Sequence, residues 1–159
     1  MSASADSELP RQLLDIEEIK RLKARYFRTL DLNDWEGFAQ VFAENASIDV
    51  PEIDLQQTGR DAIVATLSAT GGAVRTVHHG HMPEIELTGA DTARGTWAMF
   101  DYVEWDLPEV GSGGWTGYGH YHETYIREEG AWRIETMRLS RIRLDHAELR
   151  PPAGSTEGT

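Results

Sequence analysis

The spacing of apolar residues changes once along the chain, and this change divides the sequence into two parts. In the first part apolar residues recur at steps of three and four, which is typical of amphipathic helices. The first such row is Ile16, Ile19, Leu22, Tyr26 and Leu30. From Val74 onward apolar and polar residues alternate, which is typical of strands. The sequence therefore predicts helices first and a sheet after them.

Three helices and one short strand are predicted in the first part. The helices cover 10–32, 34–45 and 59–72, and the strand covers 46–50. Pro10 suits the first turn of a helix, and Asn33 or Asp34 can cap the second one. Trp35, Phe38, Val41 and Phe42 then face inward from the second helix. Gly71 and Gly72 end the third helix.

Four long strands are predicted in the second part, over 74–88, 93–106, 115–127 and 131–144, with hairpin turns at 88–91 and 127–130. Helices followed by a meander of strands indicate the α+β class, with helices on one face of a curved antiparallel sheet and a pocket between the layers. We expect one domain over 10–146. The small, polar and Pro/Gly-rich ends, 1–9 and 147–159, are predicted to be flexible tails.

Composition and net charge limit the kinds of binding partner and the cellular compartment that we expect. The chain has 159 residues and a net charge of −12, from 27 acidic and 15 basic residues. Such a surface repels phosphate backbones and anionic lipid, so we expect no nucleic-acid and no membrane partner. The N-terminal segment has no signal-peptide pattern and there is no cysteine, which is compatible with the reducing cytoplasm that we expect.

One carboxylate interrupts an apolar row of the second predicted strand of the meander. Asp101 alternates with Trp97, Met99, Val103 and Trp105. A carboxylate on a core-facing row costs several kcal/mol unless it is paired or lies in a functional cavity. Two interpretations stay open: Asp101 serves a cavity, or it forms a structural ion pair with an arginine of the last strand.

A second carboxylate stands at the end of the first helix. The helix dipole disfavours an acid there by ~0.3–1 kcal/mol, so Asp31 needs a partner, and a histidine of the sheet would serve. The alternative is that Asp31 caps the following turn or faces water. Tyr26 lies on the apolar row of the same helix.

Five of the six histidines lie on predicted strands. Alternation puts His79 and His81 on one face and His78 on the other, while His120 and His122 form a second pair. Paired histidines of this kind build metal sites in some β-barrels, and Glu86 adds a spacing close to that of cupins. The surrounding glycines and the helical first half do not fit that fold. We therefore expect no metal.

Three stretches of the chain, 16–50, 78–102 and 117–138, together resemble the SnoaL-like branch of the nuclear transport factor 2-like superfamily. Its relatives include scytalone dehydratase, bile-acid 7α-dehydratase and hexachlorocyclohexane dehydrochlorinase. The resemblance runs over about 14–144. It implies a cone-shaped α+β barrel, chemistry without a cofactor, and a homodimer or homotrimer.

The resemblance also implies a set of catalytic residues: Tyr26, Asp31, His78, Asp101 and Arg141. His78 would correspond to the pocket base of the relatives, and Asp31 to the acid that orients this base. Tyr26 would correspond to a hydrogen-bond donor for a substrate oxygen. Asp101 would be a second acid or would position His78, and Arg141 would hold a polar or anionic substrate group. Met137 stands where some relatives have arginine, and Arg138 has the opposite parity.

The expected function is therefore that of a lyase, of the dehydratase or β-elimination type, or of an isomerase. The expected pocket lining suits a bulky, mostly apolar substrate such as a steroid, a polyketide or an aromatic compound. It consists of Trp97, Met99, Trp105, Tyr121, Met137 and Leu139. Two alternatives stay open. One is a non-catalytic binding or accessory subunit, as in ring-hydroxylating dioxygenases, and the other is a metal-dependent enzyme that uses the paired histidines.

Overall fold

The structure, a computed structural model, describes residues 5–69, 72–108 and 111–147. The helices are α1 (Ala5–Asp31), α2 (Trp35–Ala39), the 3₁₀ helix η1 (Pro51–Ile53) and α3 (Arg60–Ser68). The strands are β1 (Phe42–Val50), β2 (Leu55–Thr58), β3 (Val74–Leu87), β4 (Thr92–Leu107), β5 (Gly111–Glu128) and β6 (Ala131–His146). In these ranges no helix has an apolar stretch that would reach across a membrane.

The six strands form one sheet in the order β2-β1-β6-β5-β4-β3. Its neighbours are antiparallel except for β1 and β6, which run parallel. In the described residues the outer strands β2 and β3 do not pair with each other, so the sheet is an open, cone-like wrap. The α+β fold class is confirmed. The sheet differs from the expected antiparallel one in being mixed, because β1 returns from the helical part to lie beside the last strand.

The long strands of the meander follow the predicted ones within a few residues, and β5 begins four residues earlier than predicted. The helical part differs more. α1 begins at Ala5, upstream of Pro10, which lies inside the helix. α3 ends at Ser68. The predicted stop at Gly71 lies outside the described residues, as does the predicted tail beyond residue 147. The domain bounds 10–146 stay a prediction.

The predicted second helix is wrong over most of its length. α2 has five residues, and the Asp34 side chain caps it by accepting the Gly37 N–H at 3.0 Å. Phe42–Asn45 instead begin β1, where Phe42 pairs with Ile134 of β6. The apolar spacing of this stretch fits a helix locally. Pairing with β6, which is almost 90 residues away in sequence, overrides it.

The core lies between the helices and one face of the sheet, called the inner face below. α1 contributes Ile19, Leu22 and Tyr26 to it, and β4 contributes Trp97, Met99 and Val103. Strand alternation places the intervening residues on the opposite, outer face. Successive residues of β3 to β6 therefore point alternately to the core and to the outside. Only polar side chains on the inner face can form an enclosed site.

Candidate active site

An apolar cavity of about 410 Å³ lies between the helices and the inner face of the sheet. Its apolar walls come from nearly every element, among them Leu30, Trp35, Ile48, Val50, Leu67, Val103, Trp105, Leu107 and Trp115. Polar side chains reach it from α1, β3, β4, β5 and β6: Tyr26, Thr76, His78, Asp101, Tyr121 and Arg141. A mostly apolar cavity with a few converging polar groups is the usual form of a small-molecule site.

The His78 imidazole is bound to the Asp31 carboxylate. His78 Nδ1 lies 2.6 Å from Asp31 Oδ1, and the His78 backbone N–H donates to Asp31 Oδ2 at 2.9 Å. The Thr76 hydroxyl donates to Asp31 Oδ1 at 2.8 Å. The structure thus places Asp31 against the sheet, as the awkward position of an acid at a helix C-terminus suggested. Capping the next turn, the alternative considered for Asp31, does not describe its contacts.

These contacts fix the ionisation of Asp31 and the tautomer of His78. Burial alone would raise the pKa of Asp31, but the hydrogen bonds from His78 and Thr76 outweigh it and hold that pKa below its ordinary value. An ionised carboxylate can only accept, so the bound Nδ1 of His78 carries the hydrogen. In the neutral imidazole, Nε2 then keeps a lone pair that can accept a proton.

Asp101 and Arg141 form a second buried pair at the cavity. The Arg141 guanidinium donates to both carboxylate oxygens of Asp101, at 2.8 and 2.6 Å. The side chains are only 7% and 2% exposed, respectively. Asp101 is the cross-strand partner of His78 on one side and of Gly117 on the other. A Cβ at position 117 would collide with Arg141 Nη1 and Asp101 Oδ1, so the bare glycine makes room for this pair.

Both interpretations of Asp101, a cavity group and a partner of an arginine, describe part of its position. The carboxylate does line the cavity, and it is also bound to an arginine of the last strand. Both oxygens of Asp101 accept from a cation, so Asp101 is not placed as a free second acid. The charge of Arg141 is likewise compensated by Asp101. Its expected role of holding a polar or anionic substrate group stays a prediction. In the described part of the structure, Arg141 Nε has no partner.

Two tyrosines, Tyr26 and Tyr121, bring phenolic side chains to the cavity. Burial, followed by the nearby charges of Glu123, Asp31 and Asp101, raises the pKa of Tyr26 far above its ordinary value. Burial is also the main cause of the raised pKa of Tyr121. Both phenols therefore stay protonated at neutral pH and can donate hydrogen bonds. Their ring centroids are 6.1 Å apart.

Four of the six residues expected to line the pocket do so: Trp105, Tyr121, Met137 and Leu139. Trp97 and Met99 do not, and the prediction is wrong for them. They belong to the buried core. The Phe27 ring of α1 fills the space above Gly80 and beside Trp97, so the inner face is covered there. Arg141 is the cavity arginine, whereas Arg138 is exposed and lies 3.5 Å from Asp49.

The paired histidines lie outside this cavity. His79 and His81 are exposed on the outer face, where His79 stacks on Phe100 with ring centroids 5.7 Å apart. His122 Nε2 lies 2.9 Å from the Ser140 hydroxyl. Among residues 5–69, 72–108 and 111–147, no group of three or more His, Asp or Glu side chains is arranged to hold a metal ion. Metal independence stays a prediction.

On the strands of the meander, sequence reasoning missed two polar or aromatic members of the site. Thr76 shares the parity of His78 on β3, and Trp115 shares that of Tyr121 on β5. Extending the inner-facing rows toward the strand ends would have identified both residues. The walls from β1 and α3 had no such signal, because their approach to the cavity depends on the parallel pairing of β1 with β6.

Similar proteins include both curated sequences and solved structures. The chain is 26% identical over 134 residues to the probable cyclase FGR4 of Gibberella zeae, covering 78% of this chain and 89% of that protein. A candidate scytalone dehydratase of Novosphingobium aromaticivorans is 25% identical, with a TM-score of 0.74 and coverage of 92% and 97%. A hexachlorocyclohexane dehydrochlorinase of Novosphingobium barchaimii is 17% identical, with a TM-score of 0.73 and coverage of 89% and 97%, and shows likeness of fold.

The match to a domain family covers most of the chain. Residues 11–138 match the SnoaL-like domain. This range contains four of the five expected catalytic residues and ends within β6, three residues before Arg141. The structural likeness extends over both the helices and the sheet. The chain therefore belongs to the SnoaL-like domain family.

Proposed function

We propose that the protein is a lyase or isomerase that acts without a cofactor, with His78 as the base that removes a proton from carbon. The observation that carries this proposal is the contact of 2.6 Å between His78 Nδ1 and an ionised Asp31 at the wall of an apolar cavity. The carboxylate orients the ring and stabilises the imidazolium that forms when Nε2 takes the proton.

Tyr26 supplies the complementary donor. When a C–H bond next to a carbonyl is broken, negative charge develops on the carbonyl oxygen, and a positioned donor lowers the barrier. The Tyr26 side chain lines the same cavity as His78, and its hydroxyl stays protonated because of burial. The two groups act on one substrate from two sides, one taking the proton and the other stabilising the resulting enolate.

The fate of the enolate separates the two reaction classes. Loss of a group on the β-carbon gives a lyase, with the proton on His78 available to the leaving group. Return of the proton to a different carbon gives an isomerase. Names of similar proteins, a probable cyclase and a candidate scytalone dehydratase, support chemistry of this general type. They do not choose between elimination and rearrangement for this chain.

The substrate class follows from the walls and the charges. Apolar side chains dominate the lining, and the one arginine or lysine that the described residues contribute to it, Arg141, is neutralised by Asp101. An uncharged, bulky and mostly apolar molecule with a carbonyl or hydroxyl oxygen fits these walls, such as a steroid, a polyketide or an aromatic compound. Cytoplasmic location and assembly into a homodimer or homotrimer complete the proposal, the former supported by an acidic chain without cysteine.

Proton exchange tests the base without a known natural substrate. The protein is incubated in D₂O with a panel of uncharged ketones and of carbonyl compounds that carry a β-hydroxyl or β-halogen. Deuterium at the α-carbon and loss of the β-group are followed by NMR. We expect His78→Gln to lower the rate by ~10²-fold or more, the scale of a general base. His79→Gln, its neighbour on the outer face, is the matched control and should retain the wild-type rate.

Three results would contradict the proposal. Equal rates in wild type and His78→Gln would remove His78 from the chemistry. Tight binding of panel compounds with neither exchange nor elimination would favour the accessory-subunit alternative instead. Activity that is lost on chelation and restored by a transition metal would favour the metal-dependent one.

A further inference from the structure

A buried ion pair lies in the core directly behind the two cavity tyrosines. Lys23 of α1 and Glu123 of β5 contact each other, and both side chains are 0% exposed. Glu123 Oε2 also accepts the Tyr125 hydroxyl at 2.5 Å, and that hydroxyl accepts the Trp97 indole N–H at 2.8 Å. The carboxylate is thus held from the side of the core, and neither charge takes part in the steps proposed above.

The Lys23 ammonium is surrounded by aromatic faces. Lys23 Nζ lies 3.6 Å from the ring centroid of Tyr121, 4.0 Å from that of Tyr26 and 4.8 Å from that of Phe27. Distances below about 6 Å over a ring face are favourable for a cation. Two of these three rings carry the hydroxyl groups that line the cavity. The ammonium therefore touches the substrate-facing phenols from behind.

Stability alone does not explain this pair. Replacing a buried ion pair by apolar residues of similar size is often neutral or stabilising, because desolvation of the charges offsets their attraction. Lys23 lies on the apolar side of α1 beside Ile19 and Leu22, and Glu123 lies between Tyr121 and Tyr125 on the inner face. Apolar side chains would fill these positions, so the retained charges point to an electrostatic role.

The effect of the ammonium on the phenols follows from its position. A positive charge on the ring face stabilises electron density that moves onto the phenol when its hydroxyl donates to an anion. This attraction is stronger in a buried site than in water. Burial lowers the pKa of Lys23 itself, and the charge of Glu123 and its hydrogen bond act against that lowering and favour the ammonium form. Burial, with the charge of Glu123 among those that add to it, raises the pKa of both phenols and keeps them protonated. The inferred effect of Lys23 is therefore to make them stronger donors and not to ionise them.

We propose that Lys23 is a positioning residue whose ammonium, held by Glu123, turns the Tyr26 and Tyr121 hydroxyls into a paired site for a negatively charged oxygen. The site would hold the enolate or alkoxide oxygen of an aromatic or similarly planar substrate. This inference rests on the proposed function, because the negatively charged oxygen is the one that the proposed reaction forms on the substrate. The preference of the pair for an oxyanion is nevertheless measurable in the absence of turnover.

Two probes of nearly the same shape measure that preference. 4-Nitrophenolate carries the oxyanion, and nitrobenzene lacks it. Dissociation constants are determined for both at a pH where the phenol is fully ionised, and their ratio reports how strongly the cavity favours the charged oxygen. Tyr26→Phe should lower this preference and so place the probe at the tyrosines. The absorption band of bound 4-nitrophenolate gives a second measure of hydrogen-bond donation.

The variant Lys23→Met/Glu123→Gln removes both charges and leaves an amide that Tyr125 can still contact. We expect it to lower the preference for the phenolate by about tenfold, the scale of a desolvated contact between a cation and a ring, and to leave nitrobenzene binding unchanged. The matched control is Asp15→Asn/Arg127→Met. That pair also contacts an aromatic ring, with Arg127 Cζ 4.5 Å from the Trp132 centroid, but lies away from the cavity lining.

An unchanged preference in the folded Lys23 variant would overturn the proposal and leave the pair a core element. A wild-type protein that binds both probes equally would overturn it as well. If the methionine variant does not fold, Lys23→Gln/Glu123→Gln, which allows an amide–amide hydrogen bond, is read by the same ratio. A preference for the phenolate that falls as expected, together with no His78-dependent deuterium exchange at the α-carbon of the panel compounds, would contradict the proposed function alone.

Discussion

The inner and outer faces of the sheet carry the same kinds of residue in different settings. His78 and His79 are adjacent on β3, yet His78 is bound to a carboxylate at the cavity and His79 stacks on Phe100 in the open. Each face also has an arginine–aspartate pair. Asp101 on the inner face accepts two hydrogen bonds from a buried guanidinium. The outer pair, Arg138 and Asp49, is 3.5 Å apart and 66% and 28% exposed.

The comparison teaches that enclosure, more than residue type, decides what a polar side chain can do. In the cavity an ionised acid fixes a tautomer, and an ion pair cannot exchange its partner for water. On the outer face the same groups are solvated, and their interactions contribute little. Strand parity selects between these settings, and a shift by one residue would exchange them.

The largest effect should come from the same substitution on the two faces. Asp101→Asn leaves the guanidinium of Arg141 buried without its counter-charge, and we expect the free energy of unfolding to fall by about 3–5 kcal/mol. Asp49→Asn should change it by less than about 1 kcal/mol. Urea unfolding of both variants measures the difference. Equal losses would show that burial of the inner pair is not what makes it matter.

A smaller effect is expected where the sheet makes room for the inner pair. Gly117→Ala places a methyl group against Arg141 Nη1 and Asp101 Oδ1, and the crowding should cost about 1–3 kcal/mol. The control is the same change in an Arg141→Met background, in which the colliding guanidinium is absent. If the cost of Gly117→Ala is as large in that background, the collision with Arg141 is not its cause.

The pH dependence of stability tests the contact between Asp31 and the inner-face histidine, His78. The folded-state pKa of Asp31 is lowered below its unfolded value of about 3.9. Its contribution is therefore fully present above that value and is lost as the pH falls through the folded pKa. We expect Asp31→Asn to destabilise by about 1 kcal/mol between pH 5 and 7, with a difference from wild type that shrinks below pH 4. A difference that grows on acidification would contradict the assignment.

The smallest effects belong to the outer histidines. His79→Gln and His120→Gln should each change the free energy of unfolding by less than about 0.5 kcal/mol, as is usual for solvated surface positions. Zinc added to wild type should leave the melting temperature unchanged. Stabilisation by zinc that His120→Gln abolishes would show that the outer face binds a metal after all.

Local patterns were sufficient to predict the meander and to identify Asp101, whereas the family resemblance selected His78 as the cavity histidine. Alternation alone separated His78 from His79, and the apolar row around Asp101 identified it as an acid on the inner face. The five catalytic candidates, which depended on family resemblance, meet at or beside one cavity, although Asp101 and Arg141 are bound to each other. Their catalytic roles remain predictions.

The parts that sequence did not predict depend on contacts between distant segments. The stretch around Phe42 has helical spacing, and only its parallel pairing with β6 makes it a strand. Trp97 continues an inner-facing row, but the Phe27 ring of α1 packs beside it. This ring fills the space that would otherwise extend the cavity to Trp97. Lys23 has the spacing of a core position, but no local pattern indicates that a lysine is buried. The partner that explains it is 100 residues away.

The bond from the His78 backbone to Asp31 has a consequence for assembly. β3 is an outer strand of the sheet and pairs only with β4 among the described residues, so its other side offers unpaired backbone groups to any passing strand. Asp31 occupies one of these groups, the His78 N–H, and α1 covers the strand beside it. The carboxylate bound to His78 thus also covers part of this strand edge, and we expect loss of Asp31 to lower solubility as well as the proposed activity.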